Sequence, residues 1–237
     1  MSKNIVILTG SGVSAESGIR TFRDQNGLWE DYKIEDVASP KGFAKDPELV
    51  HRFYNLRRRQ LKDPSVQPNA AHIALARLER EWPGPFQIIT QNVDDLHERA
   101  GSKKVLHMHG QLDRVICKSC NERMYWINDL SSKDACKFCG RCGFLRPDVI
   151  WFGETPYFLE LIQQLVRDAD AFVSVGTSGI VYPAAGLVKL AHDAFKIEVN
   201  TQKTNVSKSF DKRYVGPATQ EVPNMVEYLL RNLGARC

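Results

Sequence analysis

No run of this chain approaches the roughly 20 consecutive apolar residues that a membrane-spanning helix requires. The opening residues, MSKNIVILTG, lack the apolar core length of a secretory signal. The last residue is a cysteine, which excludes a prenylation box. There is no internal repeat and no low-complexity tract. A strong excess of one charge is also missing: 32 Lys and Arg stand against 28 Asp and Glu, a net +4, which is no nucleic-acid footprint. The expectation is a cytoplasmic protein with neither nucleic acid nor membrane as a direct partner. Its mild basicity suits acidic substrates or acidic acyl groups.

What is present reads as a globular chain: 43% apolar and 25% charged residues over 237 positions, enough for one domain with a small insert or for two domains. The apolar run Ile5-Val6-Ile7-Leu8 reads as a buried parallel strand. Gly10 and Gly12 break it, and Ala15 completes G-x-G-x-x-A. Such glycines allow a tight turn and close approach to a pyrophosphate, with a helix from Ser14 presenting its N–H groups. An ordinary strand–turn–helix with no ligand fits the same residues. A dehydrogenase of this type wants an acid about 20 residues on, after a second strand. The segment there, DQNGLWEDYKIED, is polar and shows no strand alternation.

Further along, residues 36–63 read as helical, with Asp46 as cap and Pro47 in the first turn. A second helix is expected over 69–81 and a strand over Phe86–Thr90, with Gln91-Asn92-Val93-Asp94 just past its end. Ligands of open parallel sheets bind beyond the carboxyl ends of strands, so this quartet is a site candidate; Asp94 also reads as a plain helix cap. A short strand and turn follow over 105–110, then an inserted module over 114–145. Strand-like sequence returns over 149–154, and a helix is expected over 155–166. Strands over 171–175 and 196–200 flank a helix opened by Pro183, and a last helix spans 223–233. Strand–helix alternation of this kind argues a parallel α/β sheet.

Five of the six cysteines lie in the module. Cys117-x-x-Cys120 and Cys136-x-x-Cys139, 15 residues apart, have the spacing of a structural zinc ribbon, in which each pair presents two thiolates to one tetrahedral ion. Cys142 competes for the fourth place, since Cys139-x-x-Cys142 is also such a pair. In His107-Met108-His109-Gly110 either histidine has the pKa of a general base near neutrality. Tyr54 and Arg57 stand one turn apart on a helix face; with Arg58 and Arg59 that face also reads as a solvated basic surface.

Taken together, these motifs resemble the sirtuins, the NAD-dependent protein-lysine deacylases, whose usual opening is G-A-G-x-S-x-x-S-G-I-P-D-F-R. This chain has Ser11 for the Ala and Arg20-Thr21 for Pro-Asp, the latter similar to a bacterial branch that also removes succinyl groups. Gln91–Asp94 stands for QNID, Gly176-Thr177-Ser178 for GTS, and Val199-Asn200 for a ribose contact. The resemblance spans essentially the whole chain. It implies a doubly wound, Rossmann-like domain over 1–35, 84–113 and 146–237, a helical insert over 36–83 and a zinc ribbon over 114–145.

The resemblance also assigns roles. His109, immediately before the Gly, becomes the base, with Asn92 and Asp94 holding nicotinamide and its ribose. The co-substrate NAD is expected on Gly10, Ser11, Gly12, Ser14, Ala15, Glu16 and Ser17, on Thr21, Phe22, Arg23 and Trp29, on Gln91 and Val93, on Gly176, Thr177 and Ser178, and on Asn200, Thr201, Gln202 and Ala218. Acyl-lysine is expected as an extended peptide near Phe152, Gly153 and Val181. Tyr54 and Arg57 are expected to take a succinyl carboxylate, with Ala38 leaving room for the chain. Alignment with the bacterial sirtuins favours Cys117, Cys120, Cys136 and Cys139 for one structural zinc. The implied products are lysine, nicotinamide and O-acyl-ADP-ribose. A protein ADP-ribosyltransferase and a non-catalytic NAD-sensing module are the alternatives. The oligomeric state stays open, with a monomer as the working expectation.

Overall fold

The computed structural model describes residues 2–20 and 32–234, together with the backbone of Leu28–Trp29. In chain order the first elements are β1 (Ile5–Thr9), β2 (Leu28–Trp29), β3 (Tyr32–Lys33), α1 (Ile34–Val37), α2 (Pro40–Lys45), α3 (Pro47–Leu61) and α4 (Ala70–Glu81). Then come β4 (Phe86–Thr90), α5 (Leu96–Arg99), β5 (Val105–His107), β6 (Gly110–Cys117), β7 (Arg123–Tyr125) and β8 (Leu145–Val149). The last are α6 (Leu159–Arg167), β9 (Ala171–Val175), α7 (Leu187–Leu190), β10 (Phe195–Asn200), β11 (Lys212–Val215) and α8 (Ala218–Asn232). No helix among the described residues is long and apolar enough to cross a membrane.

A six-stranded parallel sheet of order β11-β10-β9-β1-β4-β5 forms the larger layer. Its central strands β1 and β9 are buried at every position because both faces are covered. Ile5 and Ile7 point to one side, into a core with Leu75 and Leu78 of α4 and Val222 and Leu229 of α8. Val6 and Leu8 point to the other, against Ile162 and Val166 of α6 and Leu187 of α7. The period-two alternation of a strand thus produces the doubly wound fold. The chain moves outward from β1 through β4 to β5, then returns to the other side of β1 as β9. That reversal opens a crevice at the carboxyl ends of β1 and β9, where ligands of such sheets sit.

The smaller layer is a three-stranded antiparallel sheet, β7-β6-β8, with the cysteine turns at its end. Helices α1 to α3 pack over it through Phe43, Phe53 and Tyr54, which share a core with Leu112, Val149 and Trp151. Ser39 caps α2 and Asp46 caps α3, each followed by proline at the first helical position. The helical stretch expected over 36–63 is three helices; the cap at Asp46 stands where the sequence put it, and the further break at Ser39 was not expected.

Other expectations are corrected. Among the described residues the glycine loop is followed by two 3-10 turns rather than an α-helix, Ser11–Val13 and Ala15–Ser17. The polar segment after Gly27 contains the β2–β3 pair, two residues on each side. The strand expected over 149–154 lies at β8 and belongs to the small sheet, paired with β6. Residues 150–154 instead fold back, with Ile150 N–H donating to His109 O and Phe152 N–H to Ala38 O. Helix α6 starts at Leu159, because Tyr157 is tied to Met108 O by its N–H and to Asp148 by its hydroxyl. Helix α8 starts at Ala218 and carries Pro223 inside it.

Candidate active site

A cavity of about 250 Å³ lies over the carboxyl ends of the sheet, between the two layers. Gly10, Ser11 and Ser14 from the loop after β1 form one wall, and Gly176, Thr177 and Ser178 from the loop after β9 form the next. The two loops touch through glycine. A Cβ on Gly12 would lie 2.7 Å from the Gly176 Cα, and Gly176 itself has φ 62. Only residues without a side chain allow both the contact and that conformation. Asn200 holds the second loop in place, its Nδ2 donating to Thr177 O at 2.7 Å.

Gln91 to Asp94 line the cavity just past β4, as the sequence placed them. Behind them the polar groups are satisfied in a chain. Asn92 Nδ2 donates to Ser14 Oγ at 3.0 Å, and Ser14 Oγ donates to Asp94 Oδ2 at 3.0 Å. Leu96 N–H donates to Asp94 Oδ1 at 3.2 Å. Burial pushes the Asp94 carboxyl up to about 6, with those two donors opposing the shift.

His107 and His109 differ sharply. His107 is buried with both ring nitrogens engaged, Nδ1 at 3.2 Å from Asn92 O and Nε2 at 2.7 Å from Glu98 Oε1. Burial lowers its pKa, but the Glu98 contact and charge outweigh that and hold it raised. His109 lines the cavity. Its Nδ1 lies 3.1 Å from Gln91 O, and burial lowers its pKa against the pull of that carbonyl. Gly110 follows with φ 82; a Cβ there would meet Asp148 O at 2.0 Å, so the turn that presents His109 requires glycine.

The opposite wall comes from the small layer: Ala38, Tyr54, Phe152, Gly153 and, across the mouth, Val181. Trp151 Nε1 donates to the Tyr54 hydroxyl at 2.9 Å, and burial pushes that phenol's pKa up, so it stays protonated. Trp151 is itself sandwiched by Arg146, whose guanidinium lies 3.4 Å over its ring while pairing with Glu154. Arg57 is not among the wall residues. Its Nη1 donates to Phe53 O at 2.9 Å and its guanidinium lies 3.6 Å over the Phe53 ring.

Several expected co-substrate residues stand back from the cavity. Ala15 is exposed, and the Glu16 carboxylate accepts from Thr219 N–H at 3.0 Å and Oγ1 at 2.6 Å. Ser17 accepts from Asn69 Nδ2 at 2.9 Å. Thr201 and Gln202 are exposed beyond β10, and Ala218 is buried at the start of α8. Thr21, Phe22 and Arg23, and the side chain of Trp29, lie outside the described residues.

The match to known proteins follows this geometry. The Sir2 family model covers residues 10–183. The chain belongs to the Sir2 family. It is 59% identical over 228 residues to an NAD-dependent protein deacylase of Bdellovibrio bacteriovorus, covering 96% of this chain and 97% of that one. A Sir2 homolog–NAD complex superposes with a TM-score of 0.87 at 42% identity, over 98% of this chain and 91% of that one. Sir2Af2 bound to a myristoylated histone peptide gives 0.74 at 34% identity, over 97% and 92%.

In this Sir2 chain the Sγ atoms of Cys117, Cys120, Cys136 and Cys139 lie within 4.8 Å of one another. Two of the edges are 3.8 Å, Cys117 to Cys139, and 3.7 Å, Cys120 to Cys136. A tetrahedron with Zn–S bonds of about 2.3 Å has edges of about 3.8 Å, so the set fits zinc. The two turns are built alike: Asn121 N–H donates to Cys117 O and Gly140 N–H to Cys136 O, with φ 60 and φ 70. Cys142 is exposed and outside the cluster, so the geometry groups Cys139 with the other three cysteines.

Sequence reasoning missed Ile19, Arg20, Ile150 and Pro156 on the walls. It also missed His72, whose Nε2 is 3.4 Å from Ser14 Oγ. The signal for His72 was its place three residues after Asn69, where it closes a capping box.

Proposed function

We propose that this chain is an NAD-dependent protein-lysine deacylase that removes acetyl and succinyl groups. The observation that carries the proposal is His109 on the cavity wall with Nδ1 at the Gln91 carbonyl. That hydrogen bond assigns the proton to Nδ1 and leaves Nε2 as the basic atom facing the cavity. The lowered pKa keeps the ring neutral near pH 7, the form a general base needs.

NAD supplies a ribose carbon whose nicotinamide can leave. The residues fit such a molecule: two glycine loops in contact at a strand-end crevice, with Ser11, Ser14, Thr177 and Ser178 among the lining residues. Asn92 and Asp94 orient the nicotinamide end. His109 takes a proton from a ribose hydroxyl, so that this oxygen accepts the acyl group. With one water consumed, lysine, nicotinamide and O-acyl-ADP-ribose result. Gly10, Gly12, Ala15, Glu16 and Ser17 shape the first loop, and Asn200, Thr201, Gln202 and Ala218 take the far ribose and adenine. The family resemblance assigns Thr21, Phe22, Arg23 and Trp29 to NAD as well.

The acyl-lysine peptide adds as an extended strand between residues 151–154 and 179–182, where Phe152, Ile180 and Tyr182 are exposed. Tyr54 and Arg57 receive a succinyl carboxylate, and Ala38 leaves space beside them. Zinc on the four cysteines is structural, since a closed four-thiolate site has no open position. Thiols kept for metal suit a reducing compartment, and we place the enzyme in the cytoplasm, working as a monomer without nucleic acid.

Mass spectrometry of acetyl-, succinyl- and unmodified peptides with and without NAD tests the reading. Mass loss of the acyl group only with NAD, alongside O-acyl-ADP-ribose, is the expected result. Label passing from NAD to protein without any acyl substrate indicates an ADP-ribosyltransferase instead.

A further inference from the structure

The ladder between β4 and β5 ends at Thr90 and His107. From there on, four successive carbonyls, those of residues 90–93, are all taken by residues 107–112. Thr90 O accepts from Met108 N–H at 3.0 Å and Val93 O from Leu112 N–H at 2.9 Å. Between them, Gln91 O takes His109 Nδ1 at 3.1 Å and Asn92 O takes His107 Nδ1 at 3.2 Å. Two imidazoles thus continue the pairing where the backbones part. His109 has its other nitrogen for the reaction; the mechanism so far leaves His107 without a part.

Both partners of His107 are acceptors, the Asn92 carbonyl on Nδ1 and the Glu98 carboxylate on Nε2 at 2.7 Å. Filling both takes two N–H groups, and an imidazole has two only as the cation. The surroundings favour that form. Burial opposes the charge, but Glu98 on α5 outweighs it, and Asp94 in the quartet adds to Glu98. Asp113 on β6 also lies in the field of His107. His97 on α5 is the facing group of the other kind, and burial keeps it neutral.

We infer that His107 is a positioning residue for NAD: its Nδ1–H holds the Asn92 carbonyl, and with it the side chain that meets nicotinamide, while Glu98 holds the opposite edge of the ring. The inference rests on the assignment of Asn92 to nicotinamide made above. Asn92 Nδ2 donates to Ser14 Oγ at 3.0 Å, so the residue is held at its side chain and at its carbonyl. Releasing the carbonyl lets that peptide turn. NAD then binds only the fraction of molecules still in place, and its apparent affinity falls by that fraction.

Nitrogen-15 NMR of the free protein at about pH 6.5, where an ordinary histidine is half neutral, is expected to show the His107 ring mainly doubly protonated. Two variants separate its two contacts. An Asn amide nitrogen stands near the place of Nδ1, and a Gln amide nitrogen near that of Nε2. His107→Asn therefore keeps the bond to Asn92 and loses Glu98, whereas His107→Gln keeps Glu98 and loses Asn92. Calorimetry is expected to show NAD binding about tenfold weaker in His107→Gln and within about twofold of wild type in His107→Asn, with kcat at saturating NAD within a few-fold in both. A residue that only props the fold gives no such order, since the Gln variant retains the charged contact. A mainly neutral His107 at that pH overturns the inference. So does wild-type NAD affinity in His107→Gln, or a His107→Asn variant as weak as His107→Gln. Wild-type protein that fails to bind NAD overturns the assignment of Asn92 and this inference together; the other three outcomes overturn this inference alone.

Discussion

His109 Nδ1 lies 3.1 Å from the carbonyl oxygen of Gln91, the first residue of the polar quartet beyond β4. The base and the residues assigned to nicotinamide are thus joined through one backbone atom. A shift of that quartet moves the imidazole with it.

Replacing His109 by Ala is expected to lower turnover by about 10²–10⁴-fold, the usual worth of a general base, while NAD still binds. The acid limb of kcat/KM is expected near the value of about 6 at which Asp94 ionises, with His109 held below its ordinary value by burial. Activity should be flat from pH 7 to 8. A limb centred above 7 assigns the proton transfer to another group.

Asp94→Asn is expected to stabilise the protein at pH 7 to 8 while abolishing activity. The Asp94 pKa is raised to about 6 in the folded state, above its unfolded value. A raised folded pKa means stability that is present below the unfolded pKa and lost as pH rises through the folded one. The shift bounds that loss at about 3 kcal/mol, and a neutral amide escapes it. Denaturant midpoints should therefore separate in favour of the variant between pH 4 and pH 7. Equal midpoints across that range contradict a buried, ionised Asp94.

Zinc content is expected at one per chain. Cys117→Ser should lose the metal and destabilise the whole small sheet, since its β-strands carry the ligand turns and metal binding contributes to folding. Cys142→Ser should keep full zinc and full stability. Elemental analysis with thermal melts separates the two; equal loss in both contradicts the cluster.

Gly176→Ala is expected to cost about 1–3 kcal/mol, because the new Cβ meets Val13 N at 2.6 Å and the backbone has φ 62. NAD affinity should fall with it, since the loop joining the two glycine walls is displaced. An unchanged denaturant midpoint in the variant contradicts this.

The strands of the parallel sheet were legible because both faces are buried: Phe86–Thr90 and Ala171–Val175 stand where the apolar runs put them. Strand β8 was not, although all five of its residues are buried. Arg146 is neutralised by Glu154 and Asp148 by Arg123, so buried positions carry charges and no apolar pattern remains. Edge strand β11 alternates half-buried with exposed and has no run to read. In the site, the quartet and the glycine loops were placed by their position after strands. The choice of His109 over His107 needed the family resemblance, because what separates them is Glu98, nine residues from His107. The turn-for-helix substitution after Gly12 was invisible, since small residues favour both.

Arg57→Met is expected to depress kcat/KM for succinyl-peptide steeply and leave acetyl-peptide within a few-fold. A succinyl carboxylate entering the channel loses its water, which is costly unless it is paired. Tyr54 lies on the channel wall beside Ala38, its hydroxyl already accepting from Trp151 Nε1 and kept protonated by burial. Arg57 is on the same helix, braced over the Phe53 ring and by the Phe53 carbonyl. That bracing turns the pair into a test of reach, because Nη1 must share itself or the side chain must swing for a bidentate contact. Removing one partner of a buried charge pair costs roughly 2–5 kcal/mol, or about 30- to several-thousand-fold. Tyr54→Phe should act in the same direction with a smaller effect, since it deletes one hydroxyl donor. Ala38→Phe should hurt the longer acyl chain more by filling the wall. Equal slowing of both substrates in Arg57→Met assigns Arg57 to holding α3 through Phe53, and the carboxylate then needs another partner.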